Sequence, residues 1–135
     1  MDSKSINRYS SFCDSLRSLE KAKYRDGSDE FVVSGTVQKF NLTFDISWKV
    51  MKDIIVKYHK INDFATGSPR ETLRTAASVG LIDDDRWMDM LELRNTLTHD
   101  YDGAIAGKSF GLIINEYYLI FERLRDAAGR YMDQD

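Results

Sequence analysis

Residues 33–58 read VSGTVQKFNLTFDISWKVMKDIIVKY, and this stretch decides the fold class. Val33, Val37, Phe40, Phe44, Trp48, Met51, Ile55 and Tyr58 recur at spacings of three and four, the period at which side chains share one face of an α-helix. Leu42, Ile46, Val50 and Ile54 make a second row beside them. An apolar surface that wide belongs to a helix packed against more than one neighbour. Gly35 costs roughly 1 kcal/mol in a helix interior, but the stripe runs through it.

The same beat continues on both sides. Tyr9, Phe12, Leu16 and Leu19 predict a first helix, with Lys21, Lys23 and Arg25 loading its last turn, where the helix dipole favours positive charge. Asp26-Gly27-Ser28 stops it, and Ser28 is the expected N-cap of the second helix. After a loop from about Asn62 to Gly67, Ser68-Pro69-Arg70-Glu71 carries the serine, first-turn proline and third-position glutamate of a capping box. That third helix is short, because Gly80 closes it. Asp83, Asp84 and Asp85 start a fourth, with Trp87, Met90, Leu91 and Arg94 along its inner side. The last helix is expected from Ala104 to Met132, on Phe110, Ile113, Tyr117, Ile120, Leu124 and Tyr131. The predicted fold is all-α: an antiparallel up-and-down four-helix bundle, with an additional short helix between the second and fourth.

Composition bounds the rest. The 135 residues are 42% hydrophobic and 30% charged, enough for one packed core, so residues 1–135 are expected to form a single helical domain. Nineteen Lys and Arg against 22 Asp and Glu leave a net charge of -3, which excludes nucleic-acid binding through the overall field and leaves local basic patches open. One cysteine, Cys13, excludes an internal disulfide, and with histidines only at 59 and 99 the common zinc patterns are excluded too. No apolar run approaches the ~18 residues of a membrane span, and the N-terminus lacks the apolar core of a secretory signal. A cytoplasmic protein is expected.

The chemistry is concentrated in Arg94-Asn95-Thr96-Leu97-Thr98-His99-Asp100-Tyr101. An arginine, an amide, an imidazole and a phenol fall within eight residues, where an apolar helix face should continue. Taken singly, each reads as a polar residue solvating a helix end. Asn95 and His99 are four apart on one face, whereas Arg94 and His99 are five apart and a continuous helix turns them about 140° from each other. A single straight helix cannot aim both at one atom. Either it bends near Thr98 or a second chain completes the site.

Arg94-Asn95, His99 and Tyr101 resemble the R-x4-H-x-Y signature of HEPN domains. The whole chain, from about residue 5 to 130, is similar to the bacterial nucleotidyltransferase substrate-binding family within that superfamily. Further matches are Gln38-Lys39-Phe40 to Phe44-Asp45-Ile46-Ser47-Trp48-Lys49, Ser68-Pro69-Arg70-Glu71, and Gly80-Leu81-Ile82 leading into Trp87. Asn41 stands where that family often has glutamate. The resemblance implies a small helical bundle, commonly a homodimer, paired with a cognate minimal nucleotidyltransferase. Many HEPN domains are metal-independent ribonuclease toxins, and in some pairs the partner adenylylates the motif tyrosine. Carried over, Arg94 and His99 are the catalytic pair with Asn95 supporting, and Tyr101 is the modification site.

These residues suit such chemistry. Cleavage of RNA by its own 2'-hydroxyl needs proton transfer and charge stabilisation at phosphorus, tasks for an imidazole and a guanidinium, with no metal or cofactor. One histidine per chain supplies one proton-transfer group, so two motifs at a two-fold interface would supply both acid and base. The alternative is a non-catalytic subunit that binds nucleotide or substrate for the partner enzyme, with Arg94 and His99 only holding phosphate. An unrelated helical interaction module is a third, weaker reading.

Other signals have simpler explanations. Gly103 to Ser109 resembles a phosphate-binding P-loop but has one residue too few between its glycines and follows a helix, so it reads as a loop and helix start with Lys108 a contact for a nucleotide or RNA backbone. Asp83, Asp84 and Asp85 read as capping and dipole compensation rather than a metal site. His59 reads as a favourable helix end, Cys13 as a small apolar filler, and Tyr117, Tyr118, Phe121 and Tyr131 as core rather than base-stacking residues.

Overall fold

A computed structural model describes residues 1–133, all of whose regular structure is helical. Helix α1 (Ser3–Glu20) is opened by Asp2, whose carboxylate accepts the Ser5 N–H at 2.8 Å. It passes into a 3-10 turn, Lys21–Tyr24, so Lys21 and Lys23 lie in that tighter coil and not in the α-helix itself. Helix α2 (Glu30–Lys57) is 28 residues long, or about 42 Å. Its N-cap is Asp29, which accepts the Phe31 N–H at 2.8 Å, and not the expected Ser28. The Ser28 hydroxyl and N–H are both directed to the Asp26 carboxylate, at 2.6 and 2.9 Å, which leaves the next carboxylate to cap the helix.

Helix α2 is the centre of the molecule and touches α1 on one side and every later helix on the others. Phe40, Phe44, Val50, Met51, Ile54 and Ile55 are fully buried along it. The second apolar row is buried only toward its C-terminal end: Val50 and Ile54 are in the core, whereas Leu42 is 51% exposed. A left-handed residue, Lys60 (φ 61°), turns the chain away from α2.

Helix α3 (Pro69–Ser78) is the added short helix, packed on both α2 and the following helix. Ser68 Oγ accepts the Glu71 N–H at 3.2 Å, as the capping box predicts, but the Glu71 carboxylate turns outward to Arg74 at 2.6 Å instead of reaching back. Gly80 takes φ +78°, which lets the Leu81 N–H close on the Ala76 carbonyl at 3.0 Å. Helix α4 (Arg86–Leu97) starts one residue beyond the aspartate run. Asp84 carries the capping: its carboxylate accepts the Arg86 N–H at 2.9 Å and pairs with the side chains of Arg86 and Arg123.

The last rod is interrupted. Helix α5 (Ala104–Leu112) passes through a π-helical turn, Ile113–Tyr117, into α6 (Tyr118–Met132). The wider turn absorbs an extra residue, so Tyr117 and its neighbour Tyr118 are both buried. Downstream the core positions are Ile120, Phe121, Leu124, Ala128 and Met132, and Tyr131, expected in the stripe, is only half-buried. The aromatic residues lock the rods together. Phe121 packs on Phe12, Phe40 and Trp87 at ring-centroid distances of 6.2, 5.9 and 5.7 Å, while Phe40 stacks on Tyr117 and Phe44 lies against Trp87. Between α1 and its neighbours, Tyr9 donates to the Arg125 carbonyl at 2.8 Å and Ser15 shares a buried hydrogen bond with Thr43.

Candidate functional site

Arg94 lies in the last turn of α4, facing α2. Its Nε and Nη2 donate to the two carboxylate oxygens of Asp45 at 3.0 and 2.8 Å, a bidentate pair between residues 49 positions apart. Both side chains are about one-third exposed, 31% and 34%, so the pair sits at the mouth of a recess and not in the core. The Asp45 carboxylate holds the Arg94 proton more tightly than usual, raising the guanidinium pKa. Nη1 and one Nη2 hydrogen are left over from that pairing, enough to meet a phosphate.

The recess is a cavity of about 230 Å³, floored by Phe44, Trp48 and Leu91 and rimmed by Lys49, Arg94 and Asn95. Phe44, Trp48 and Leu91 are buried, so the floor is apolar and the rim polar. The loop ahead of α3 closes one side with Gly67 and Pro69. Lys49 and Lys52 lie over the Trp48 ring at 5.9 and 5.8 Å from its centroid. The local field at this mouth is therefore more positive than the net charge of the chain implies.

The other half of the motif is elsewhere. Helix α4 ends at Leu97, and His99 and Tyr101 belong to the turn that follows. The His99 N–H bonds to the Thr96 carbonyl at 3.0 Å, but its ring is exposed and has no partner among the described residues. Tyr101 is 92% exposed. Neither lines the cavity beside Arg94, so one chain brings Arg94 and Asn95 together and leaves His99 and Tyr101 apart from them. Lys108 is exposed on α5 and also lies off that cavity.

What holds the turn is Asp100, a residue the sequence reading passed over. Its two carboxylate oxygens accept the N–H groups of Ile105 and Ala106 at 3.1 and 2.8 Å. Asp102 accepts from Ala104 at 3.1 Å, and Gly103 takes the left-handed φ of +74° that this cramped entry into α5 needs. The turn is thus tied to the start of α5, while the side chains on either side of Asp100 point outward. Asp45 was likewise missed. It stands within Phe44-Asp45-Ile46-Ser47-Trp48-Lys49, but nothing local shows which cation it meets. The P-loop-like segment follows the turn after α4 and begins a helix, as expected. No group of three His, Cys, Asp or Glu suited to a metal ion occurs among the described residues. No helix among them is long and apolar enough to cross a membrane.

Comparisons with known proteins converge on one family and fold. The family model described as nucleotidyltransferase substrate binding protein like matches residues 7–129. A Haemophilus influenzae protein named probable ribonuclease HepT is 32% identical over 100 residues, which cover 70% of this chain and 68% of that one. A solved Haemophilus influenzae structure, described as revealing the fold of a substrate-binding domain of a nucleotidyltransferase, superposes with a TM-score of 0.74 over 90% of this chain and 98% of that one, at 21% identity. The last of these shows a shared fold. With the family model spanning nearly every helix, the chain belongs to the nucleotidyltransferase substrate-binding protein family of HEPN domains.

Proposed function

We propose that this protein is the HEPN component of a nucleotidyltransferase/HEPN toxin-antitoxin pair, a metal-independent endoribonuclease. The observation that carries the reading is the division of the motif. Arg94 is fixed by Asp45 with donors to spare at an open recess, while the His99 imidazole stands free on an anchored turn. The likeness to a protein named probable ribonuclease supports the same class of chemistry.

The division also calls for a second copy. In a two-fold dimer the exposed His99 of each chain reaches the other motif, so that two imidazoles and two guanidiniums face one phosphodiester. One imidazole takes the proton of the ribose 2'-hydroxyl, whose oxygen bonds to phosphorus. The bond from phosphorus to the 5'-oxygen breaks, and the second imidazole, protonated, returns a proton to that oxygen. The products are a 2',3'-cyclic phosphate and a 5'-hydroxyl. The free Arg94 donors hold the equatorial oxygens as charge builds, and Asn95 borders the same recess. Tyr101, at 92% exposure, is open to a partner enzyme. Its phenolic oxygen attacks the α-phosphorus of ATP, pyrophosphate leaves, and the phenol proton is lost. The bulky adenylyl group then stands two residues from His99 and obstructs the cleft.

Expression of the chain without its partner tests the proposal, compared with His99→Ala, with growth and RNA integrity followed. Toxicity and RNA cleavage lost in the variant are expected. The absence of both from the unmodified chain would leave the second reading, a non-catalytic substrate- or nucleotide-binding subunit. That reading is favoured by one observation, the cavity lined by Arg94 without His99. Intact mass after incubation with the nucleotidyltransferase and ATP tests the modification: an adenylyl adduct that persists in Tyr101→Phe rejects Tyr101 as the acceptor.

A further inference from the structure

A second cavity lies further along α2, beyond the Arg94 recess. The second, about 300 Å³, is lined by Lys4 and Arg8 of α1, by Lys52, Asp53 and Lys57 of α2, and by Asn62 and Thr66 of the loop. On α2 the first cavity uses 44, 45, 48 and 49 and the second uses 52, 53, 56 and 57. These are successive members of two neighbouring i, i+4 rows, so one winding ridge of the helix floors both. Thr66 lines one cavity and Gly67, its neighbour in the chain, lines the other. The two recesses therefore adjoin beneath the loop. From Asp45 to Asp53 the helix rises about 12 Å, a length that a few nucleotides of single strand cover.

The charge along this ridge opposes that of the molecule. Six cations line the pair of cavities, with Asp45 and Asp53 the facing carboxylates. Arg94 and Arg8 are held by those two carboxylates, and Lys57 by Asp2 at 2.9 Å. Lys4, Lys49 and Lys52 take part in no ion pair among the described residues. Unpaired cations in a chain of net charge -3 form a local anion track.

Asp53 adds a second, independent mark. Its residue is 6% exposed, its Oδ1 accepts from Arg8 at 2.8 Å, and its Oδ2 is fully buried with no hydrogen-bond partner. A buried carboxylate oxygen without a donor is costly, and a rotation of the Asp53 carboxylate toward the cavity its residue lines would let a ligand hydroxyl remove that cost. Phosphates flanked by ribose 2'-hydroxyls meet both demands at once: anionic oxygens for the lysines and a donor for Oδ2. In a duplex the hydroxyls stay on the groove surface and cannot enter a recess between a helix and a loop.

We propose that this ridge, from Arg94 past Lys49 and Lys52 to Lys4 and Asp53, is a binding track for the sugar-phosphate backbone of single-stranded RNA. The proposal rests on the nuclease reading for its choice of polymer and extends it away from the scissile bond. Contact is with backbone only, because Trp48 lies under its lysines and offers no face for a base. The track therefore selects RNA without selecting sequence.

Binding of a fluorescein-labelled single-stranded oligoribonucleotide, measured by anisotropy across a salt series, tests it. The His99→Ala protein is used so that the strand stays intact. Replacing Lys4 and Lys52 by alanine together is expected to lower the slope of log K against log salt by about 1.4, since each phosphate contact to a single strand contributes about 0.7. At 0.1 M salt that corresponds to a loss of about 25-fold. DNA of the same sequence is expected to bind the unaltered track about tenfold more weakly, because Oδ2 stays unpaired. An unchanged salt slope in the double variant, or equal affinity for RNA and DNA, overturns the track. If the wild-type chain cleaves RNA while the slope is unchanged, the track fails alone. If it cleaves none while the slope falls as expected, the nuclease reading fails and the track stands.

Discussion

Arg94 and His99 are five residues apart, yet they occupy opposite physical regimes. Arg94 is gripped by a carboxylate from α2, above a floor of buried aromatics. His99 lies on a turn whose backbone is fastened by Asp100, and its exposed ring has no hydrogen-bond, ion-pair or ring partner among the described residues. The lesson is about division of labour. The recess is pre-organised by the core, which on the proposed reading fixes an anion-holding group at no further cost when substrate arrives. The turn is pre-organised only in its backbone, which leaves its side chains available to a second molecule, whether another copy or a modifying enzyme.

That contrast can be broken most severely from below. Phe44 is fully buried and packs on Trp87 beneath the recess. Phe44→Ala is expected to cost about 3–5 kcal/mol in urea unfolding, by lost burial and the cavity left behind. A cost under 1 kcal/mol would mean that the recess does not rest on the core. The next effect appears at high pH. Burial first, and then the neighbouring Glu122 carboxylate, push the Tyr118 phenol up to about 12. An unfolded tyrosine titrates near 10, so between about pH 10 and 12 the unfolded chain loses a proton that the folded chain keeps. The contribution is complete below pH 10 and is lost as pH rises toward 12, with a size on the order of 2 kcal/mol. Chemical denaturation across that range should show the decline, and Tyr118→Phe should flatten its share, leaving those of Tyr9, also pushed up to about 12 by burial, and of Tyr117, raised by burial too.

The turn is expected to give smaller effects. Asp100→Ala removes the acceptor of two N–H groups at the start of α5 and should cost about 1 kcal/mol. Its sharper readout is amide exchange, expected to accelerate at Ile105 and Ala106 while the Phe44 amide stays protected. Uniform acceleration would show that the turn and the core open as one unit. Tyr101→Ala, at the most exposed aromatic residue, should change stability by no more than about 0.5 kcal/mol. A larger loss would place Tyr101 in the structural frame and out of reach of a modifying enzyme.

Most helices of this protein are legible in its residues because their cause is local. The three-and-four spacing through α2 needs only the pitch of a helix, and Ser68-Pro69 needs only the orphan N–H groups of the next turn. Local rules also set where they fail. Ser28 and Asp29 are both competent caps, and the choice between them turned on Asp26 taking the serine. The π-helical turn at Ile113–Tyr117 follows from two adjacent tyrosines that both had a place in the core, a fact about neighbouring helices and not about the segment.

The candidate site divides along the same line. Composition and periodicity were enough to determine an all-helical chain, and the order of Arg94, Asn95, His99 and Tyr101 carries the resemblance on which the proposed chemistry rests. Only the tertiary structure decided that Asp45, 49 residues away, holds Arg94, that the imidazole stays outside the recess, and that Asp53 is buried with one oxygen unmet. The physical reason is range. Helix period and capping act over about one turn, whereas ion pairing and desolvation depend on which distant surfaces the packed core brings face to face.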